Sequence, residues 1–189
     1  MVLESTQRIL VVHRERPLSV IDSERLSVPI AIDQVSFDIS ILEQLENCYD
    51  LLVLDWHLEQ PDARGVLDAF RQTAPESWVL ALAAEVPDDD PVDRGVDEVL
   101  VEPVAPTALA GTLERLLFQC AYERTMHNLF RLSTERAVLE TELESDVAVG
   151  DQYQSVVQEL QTCRERAASI RAELSGDSFD QTLRQLFSE

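Results

Sequence analysis

Short apolar runs alternate with amphipathic stretches over residues 8–118. Runs of four to six residues rich in Val, Ile and Leu, bounded by polar or turn residues, predict buried strands at Ile9–Val12, Ile30–Val35, Leu51–Leu54, Trp78–Leu82 and Glu98–Val101. Between them, apolar residues recurring at helical spacing predict a short helix over Pro17–Arg25. Longer ones follow over Phe37–Asn47, with Ile39, Leu42 and Leu45 inward, and over Ala63–Thr73, with Val66, Leu67 and Phe70 inward. The fourth connection, Glu85–Arg94, holds two prolines and four aspartates and leaves room for about one helical turn before Gly95. Strands and helices in strict alternation predict an α/β fold, a doubly wound five-stranded parallel sheet.

Beyond it the pattern changes to a long helical one. Thr107, preceded by Pro106, is placed to cap a helix that runs far past the needs of the sheet. Phe118, Tyr122, Thr125, Leu129, Leu132, Arg136, Leu139 and Leu143 recur every four and three residues, a heptad seam with two polar interruptions. After a break around Gly150, a second seam runs through Tyr153, Val156, Leu160, Cys163, Ala167, Ile170 and Leu174. The expectation is an antiparallel helical hairpin or coiled coil, then Gly176-Asp177 and a short closing helix with Phe179, Leu183, Leu186 and Phe187 inward. The domains read as 1–118 and 119–189. Two helices sharing one seam leave a flank uncovered, so Tyr122, Leu129 and Phe130 predict a homodimer, the alternative being a hairpin that serves its own chain.

At 189 residues the chain has room for one well-buried domain and an appendage. No apolar stretch approaches membrane-spanning length and the first residues lack a signal-peptide pattern, so a cytoplasmic location with no membrane contact is expected. Cys48, Cys120 and Cys163 are too far apart for a paired-cysteine zinc motif or a disulfide framework. The net charge is −21, and all 15 basic residues are arginine. Such a balance suits a protein kept soluble in concentrated salt, although an ordinary acidic protein is the alternative. The first 105 residues carry −15 and the remainder −6, so neither part offers a basic footprint and direct nucleic-acid binding is disfavoured.

Candidate chemistry centres on Asp55, a carboxylate closing the apolar run Asp50-Leu51-Leu52-Val53-Leu54 at the strand end where open α/β sheets place their sites. The surrounding segments resemble the receiver domains of two-component response regulators. Arg8 to Glu15 is similar to the first strand and its acidic exit, Asp50 to Trp56 to the phospho-acceptor strand, Pro61 and Gly65 to the residues after it with Glu59-Gln60 as an insertion, and Gly95 to Val104 to the fifth-strand segment. The short fourth connection and the tail resemble the haloarchaeal subgroup that carries a HalX domain, on Ala121-Tyr122-Glu123, Leu132-Ser133 with Ala137 to Glu140, and Asp177 to Asp180.

The resemblance implies Asp55 as phospho-acceptor, but the residues expected to assist it are changed. Receivers hold Mg²⁺ with acids after the first strand, where this chain has His13 and Arg14. Glu102 replaces the lysine that pairs with the phosphoryl oxygens, Ala83 the hydroxyl residue, and Val99 the aromatic residue that reports activation. The chain is therefore expected to be a non-enzymatic pseudo-receiver with no cofactor. Mg²⁺ would enter only if the site is active, with Glu15 turning inward as one ligand. Arg14 is expected to bridge Asp55 and Glu102, the alternative being that it points to solvent. By resemblance the Glu102-Pro103 bond should be cis. Implied partners are a sensor histidine kinase or another regulator. An active phospho-acceptor and a transcription regulator are the rival readings.

Overall fold

The five apolar runs form the five strands β1 (Gln7–His13), β2 (Ile30–Ser36), β3 (Leu51–Asp55), β4 (Trp78–Ala83) and β5 (Glu98–Val101). The structure is a computed structural model that describes residues 3, 5–13, 21, 25–36, 49–58, 62–85, 91–142 and 149–175. The helices expected over Pro17–Arg25 and Phe37–Asn47 lie almost wholly outside these residues. So do Arg14, Glu15, Glu59, Gln60, Pro61, Leu143 and the closing helix after Gly176. All four ladders are parallel and the strand order is β2-β1-β3-β4-β5. Most strands exceed the apolar runs by a residue or two, because backbone pairing continues into polar neighbours such as Gln7 and His13.

Helix α1 (Ala63–Thr73) begins at Asp62, whose extended backbone leaves its carboxylate free to accept the Gly65 N–H at 2.7 Å. A Cβ at Gly65 would stand 2.9 Å from that oxygen, so the cap and the glycine require each other. Val66, Leu67 and Phe70 face the sheet and join Leu10, Val12, Leu52, Leu54, Val79 and Ala81 in one buried cluster. At the helix's far end Arg71 donates to the Gly95 carbonyl at 3.0 Å and to Asp97 Oδ2 at 2.6 Å, and the same carboxylate oxygen accepts the Val79 N–H. In the described part of the connection between β4 and β5, one 3₁₀ turn (Val92–Arg94) ends at Gly95, whose φ of +93° suits a residue without a Cβ.

Side chains alternate across a sheet, so the strand residues not facing α1 must be covered from the other side. Ile9, Val11, Leu51, Val53, Leu80 and Leu82 are all buried there. Helix α2 (Pro106–Glu142) reaches that face with Arg115 paired to Glu98, and buries Leu109, Leu113, Leu116 and Leu117. Its first residue is Pro106, so Thr107 lies inside the first turn and does not cap it. Proline suits that position because its fixed φ is helical and its missing N–H would have had no partner.

The chain divides into two compact units, one spanning Leu3–Cys120 and the other beginning at Ala121. In the second, α2 and α3 (Val149–Ser175) run antiparallel: Cys163 Sγ donates to the Thr125 carbonyl at 3.3 Å, and the Tyr153 hydroxyl donates to Glu140 Oε1 at 3.0 Å. Leu132, Leu139, Val156, Leu160 and Cys163 form its core, with Leu129 and Tyr153 packed against it. Helix α3 begins at Val149, one residue before Gly150, in keeping with a break expected around that glycine. No atom comes within 4 Å of the place its Cβ would occupy, and a glycine near a helix end weakens the helix little. No described helix is long and apolar enough to cross a membrane.

Candidate functional site

Three adjacent strand ends meet at Asp55. Register sets Val12 beside Leu54 and Asp55 beside Leu82, so His13, the carboxylate and Ala83 follow at the carboxyl ends of adjacent strands. Because β1 lies between β2 and β3 in an order that reverses direction there, Asp55 stands at the topological switch point of the sheet.

Asp55 is only 8% exposed, and a buried carboxylate must find donors. One is local: Oδ1 accepts the backbone N–H of His57 at 2.9 Å, the short-range turn that aspartate side chains favour. The other neighbour comes from β1, where His13 Nε2 faces Oδ2 at 3.9 Å and makes an ion pair when the ring is protonated. His57 is exposed; its ring Nδ1 accepts the Ala84 N–H at 3.4 Å, tying the loop after β3 to the loop after β4.

Ala83 is fully buried and offers no hydroxyl. Glu102 is exposed, its backbone N–H donates to the Ala83 carbonyl at 2.8 Å, and the Glu102-Pro103 bond is cis, in agreement with expectation. Val99 is half-buried against the α1 cluster. Arg14 lies outside the described residues, so what meets Asp55 here is His13, a neighbour the sequence reading left without a role toward it.

Among the described residues, the side chains at this strand end do not supply the several hard oxygen ligands that Mg²⁺ takes at short range. Among the described residues no three His, Cys, Asp or Glu side chains gather to hold a metal ion. One carboxylate, already accepting a backbone N–H and faced by an imidazole, is a poor start for such a shell.

Residues 120–187 match the HalX domain. Solved receiver domains share the first unit's fold. The signal receiver domain of a candidate LuxO repressor protein from Vibrio parahaemolyticus superposes with a TM-score of 0.56 at 20% identity, covering 64% of this chain and 96% of that one. A CheY-like receiver domain protein from Methanospirillum hungatei gives 0.52 at 18% identity, covering 63% and 99%. The chain joins a unit with the receiver fold to a segment that matches the HalX domain. A Haloferax volcanii protein named as a candidate transcriptional regulator is 27% identical over 157 residues, which are 81% of this chain. The chain spans 24% of that relative's length. Asp55 lies at the carboxyl end of β3 in the unit that shares the receiver fold, and the segment matching HalX takes in the C-terminal part of α2 and all of α3.

Proposed function

We propose that this protein is a response-regulator-like signalling protein whose receiver unit acts without phosphorylation, as a fixed protein-contact module, and is not an enzyme. The reading rests on the surroundings of Asp55: a backbone N–H holds one carboxylate oxygen and His13 faces the other. Phosphoryl transfer to an aspartate depends on a cation to neutralise the incoming charge and on a lysine to hold the transferred group. By resemblance His13 and Glu102 take those places, and neither an imidazole nor a carboxylate replaces a divalent cation or a lysine on the phosphoryl oxygens. The absence of a hydroxyl at Ala83 removes the group that would report phosphorylation to the β4 loop.

Output through protein partners fits the acidic balance of both units, which repels nucleic acid. The Haloferax volcanii relative's name supports a place in gene regulation, reached here through other proteins, with a sensor kinase or a second regulator as the partner class. Trp56, next to Asp55 and half-buried, is a native probe. Its emission should stay unchanged when Mg²⁺ and acetyl phosphate are added in molar salt. A saturable change that disappears in Asp55→Asn would favour the rival reading, an active phospho-acceptor.

A further inference from the structure

The second unit carries a groove of about 210 Å³ on one flank, between Tyr122 and Met126 of α2 and Ala167 and Ala168 of α3, with Arg164 and Arg171 beside them. Its charge is unusual for this chain. The sequence holds 36 acids, yet none lines the groove. Arg8, Arg71, Arg115 and Arg131 each pair with a carboxylate, whereas Arg164 and Arg171 make no ion pair or hydrogen bond among the described residues. Phe130, on the same helix as Met126, is the most exposed large apolar side chain among the described residues, at 76%, and Met126 is itself 40% exposed. Four residues of an α-helix turn through about 400°, so Phe130 projects about 40° round from Met126, on the groove's flank of α2. Phe130 does not line the groove, so its ring leaves the groove of its own chain unfilled.

We propose that the groove receives Phe130 of a second copy of this chain, in a two-fold contact that runs α2 antiparallel to α2 with Met126 beside the axis. The register follows from the hairpin. Cys163 meets the Thr125 carbonyl, so Ala167 lies about 7 Å from Met126 toward the start of α2, while Phe130 lies about 6 Å from it toward the end. Rotation about an axis beside Met126 therefore carries the Phe130 of each copy onto the Ala167 and Ala168 of the other. The two alanines leave room for a ring there. Arg164 and Arg171 flank that seat one turn before and one turn after it, placed to set their guanidinium groups against the ring face, where a cation is attracted by the electron-rich π system. One contact thus gives a partner to the exposed ring and to both unpaired cations. Because the ring and the groove share one flank, each copy satisfies the other and the contact closes at two chains. Repulsion between two chains of net charge −21 is screened beyond about 3 Å in molar salt, and the groove's own residues do not add to it. The inference concerns the second unit alone and does not depend on whether Asp55 takes a phosphoryl group.

The test uses the full chain in molar salt, with its mass followed by light scattering over a concentration series. The parent should reach twice the chain mass and no more. Ala168→Glu, an exposed change that puts a charge in the seat of the ring, should raise the dimer dissociation constant about tenfold or more, and Arg164→Gln with Arg171→Gln should raise it several-fold. Ser169→Glu, equally exposed but about 100° round α3, should leave it unchanged. Circular dichroism shows whether each variant keeps its helices, and the axis is tested by a change that does not touch the groove's α3 wall. Met126→Cys, after mild oxidation and peptide mass spectrometry, should give a disulfide between two copies of residue 126 many-fold faster than His127→Cys gives one between two copies of residue 127. A monomeric parent, a mass that grows past two chains, a dissociation constant unchanged by Ala168→Glu or by the paired arginine changes, or equal rates for the two cysteines would overturn the assignment.

Discussion

His13 Nε2 faces Asp55 Oδ2 across 3.9 Å, so an imidazole holds the position beside the strand-end carboxylate. Replacing it with a carboxylate tests how far the site has moved from metal binding. His13→Asp puts a second carboxylate on the strand end beside Asp55, a like-charge repulsion of about 1 kcal/mol or more. The variant should unfold at lower temperature than the parent without divalent cations and recover part of the loss when Mg²⁺ is added, while the parent should not respond. Thermal unfolding with and without Mg²⁺ measures both.

Asp55 was legible from sequence because a β3 buried on both faces reads as a continuous apolar run, and the carboxylate that closes it falls where such sheets keep their sites. Its neighbours were not. The His57 N–H and the Ala84-to-His57 hydrogen bond arise from loop geometry, which residue type hardly encodes. The two seams were legible because Leu132, Leu139, Val156 and Leu160 keep heptad spacing through long uninterrupted helices. The start of α2 was less so: Thr107 has the residue type of a cap, yet the proline at 106 already starts the helix.

The Arg71 clamp fastens the end of α1 to the turn before β5. Asp97→Ala removes the carboxylate oxygen shared by Arg71 and the Val79 N–H, leaving a buried donor without its acceptor. The expected loss is about 1 to 3 kcal/mol, read by denaturant unfolding of the full chain. Asp93→Ala, an exposed change on the 3₁₀ turn, should shift stability far less.

The hairpin core should respond as a packed interior. Leu132→Ala or Leu160→Ala should each cost about 2 to 5 kcal/mol in the unfolding of the second unit, since both side chains are almost fully buried. Thr125→Val should cost much less, because its hydroxyl donates only to the Ala121 carbonyl one turn back and its removal leaves no donor stranded.

Tyr153 carries a pH signature. Its hydrogen bond to Glu140 raises the phenol above its ordinary value of 10.0, with burial and the Glu140 charge adding to the effect and Arg136 opposing it. A group whose folded value is raised contributes stability that is fully present below the unfolded value and is lost as pH climbs through the folded one. The contribution should therefore persist through neutral pH and fade above pH 10. In Glu140→Gln, the tyrosinate absorbance titration should move to lower pH.

Phe130 is 76% exposed on α2 and Val138 is 52% exposed two turns on, a pairing that fits contact between copies. Light scattering in molar salt should report a dimer that Phe130→Glu converts to monomer. A strictly monomeric parent would confine the hairpin to its own chain or to an unlike partner.

The most direct measurement is the intact mass of the full chain after incubation with acetyl phosphate and Mg²⁺ in molar salt. The pseudo-receiver account predicts no added phosphoryl group. A phosphoryl adduct that hydroxylamine removes and that is absent from Asp55→Asn would contradict it.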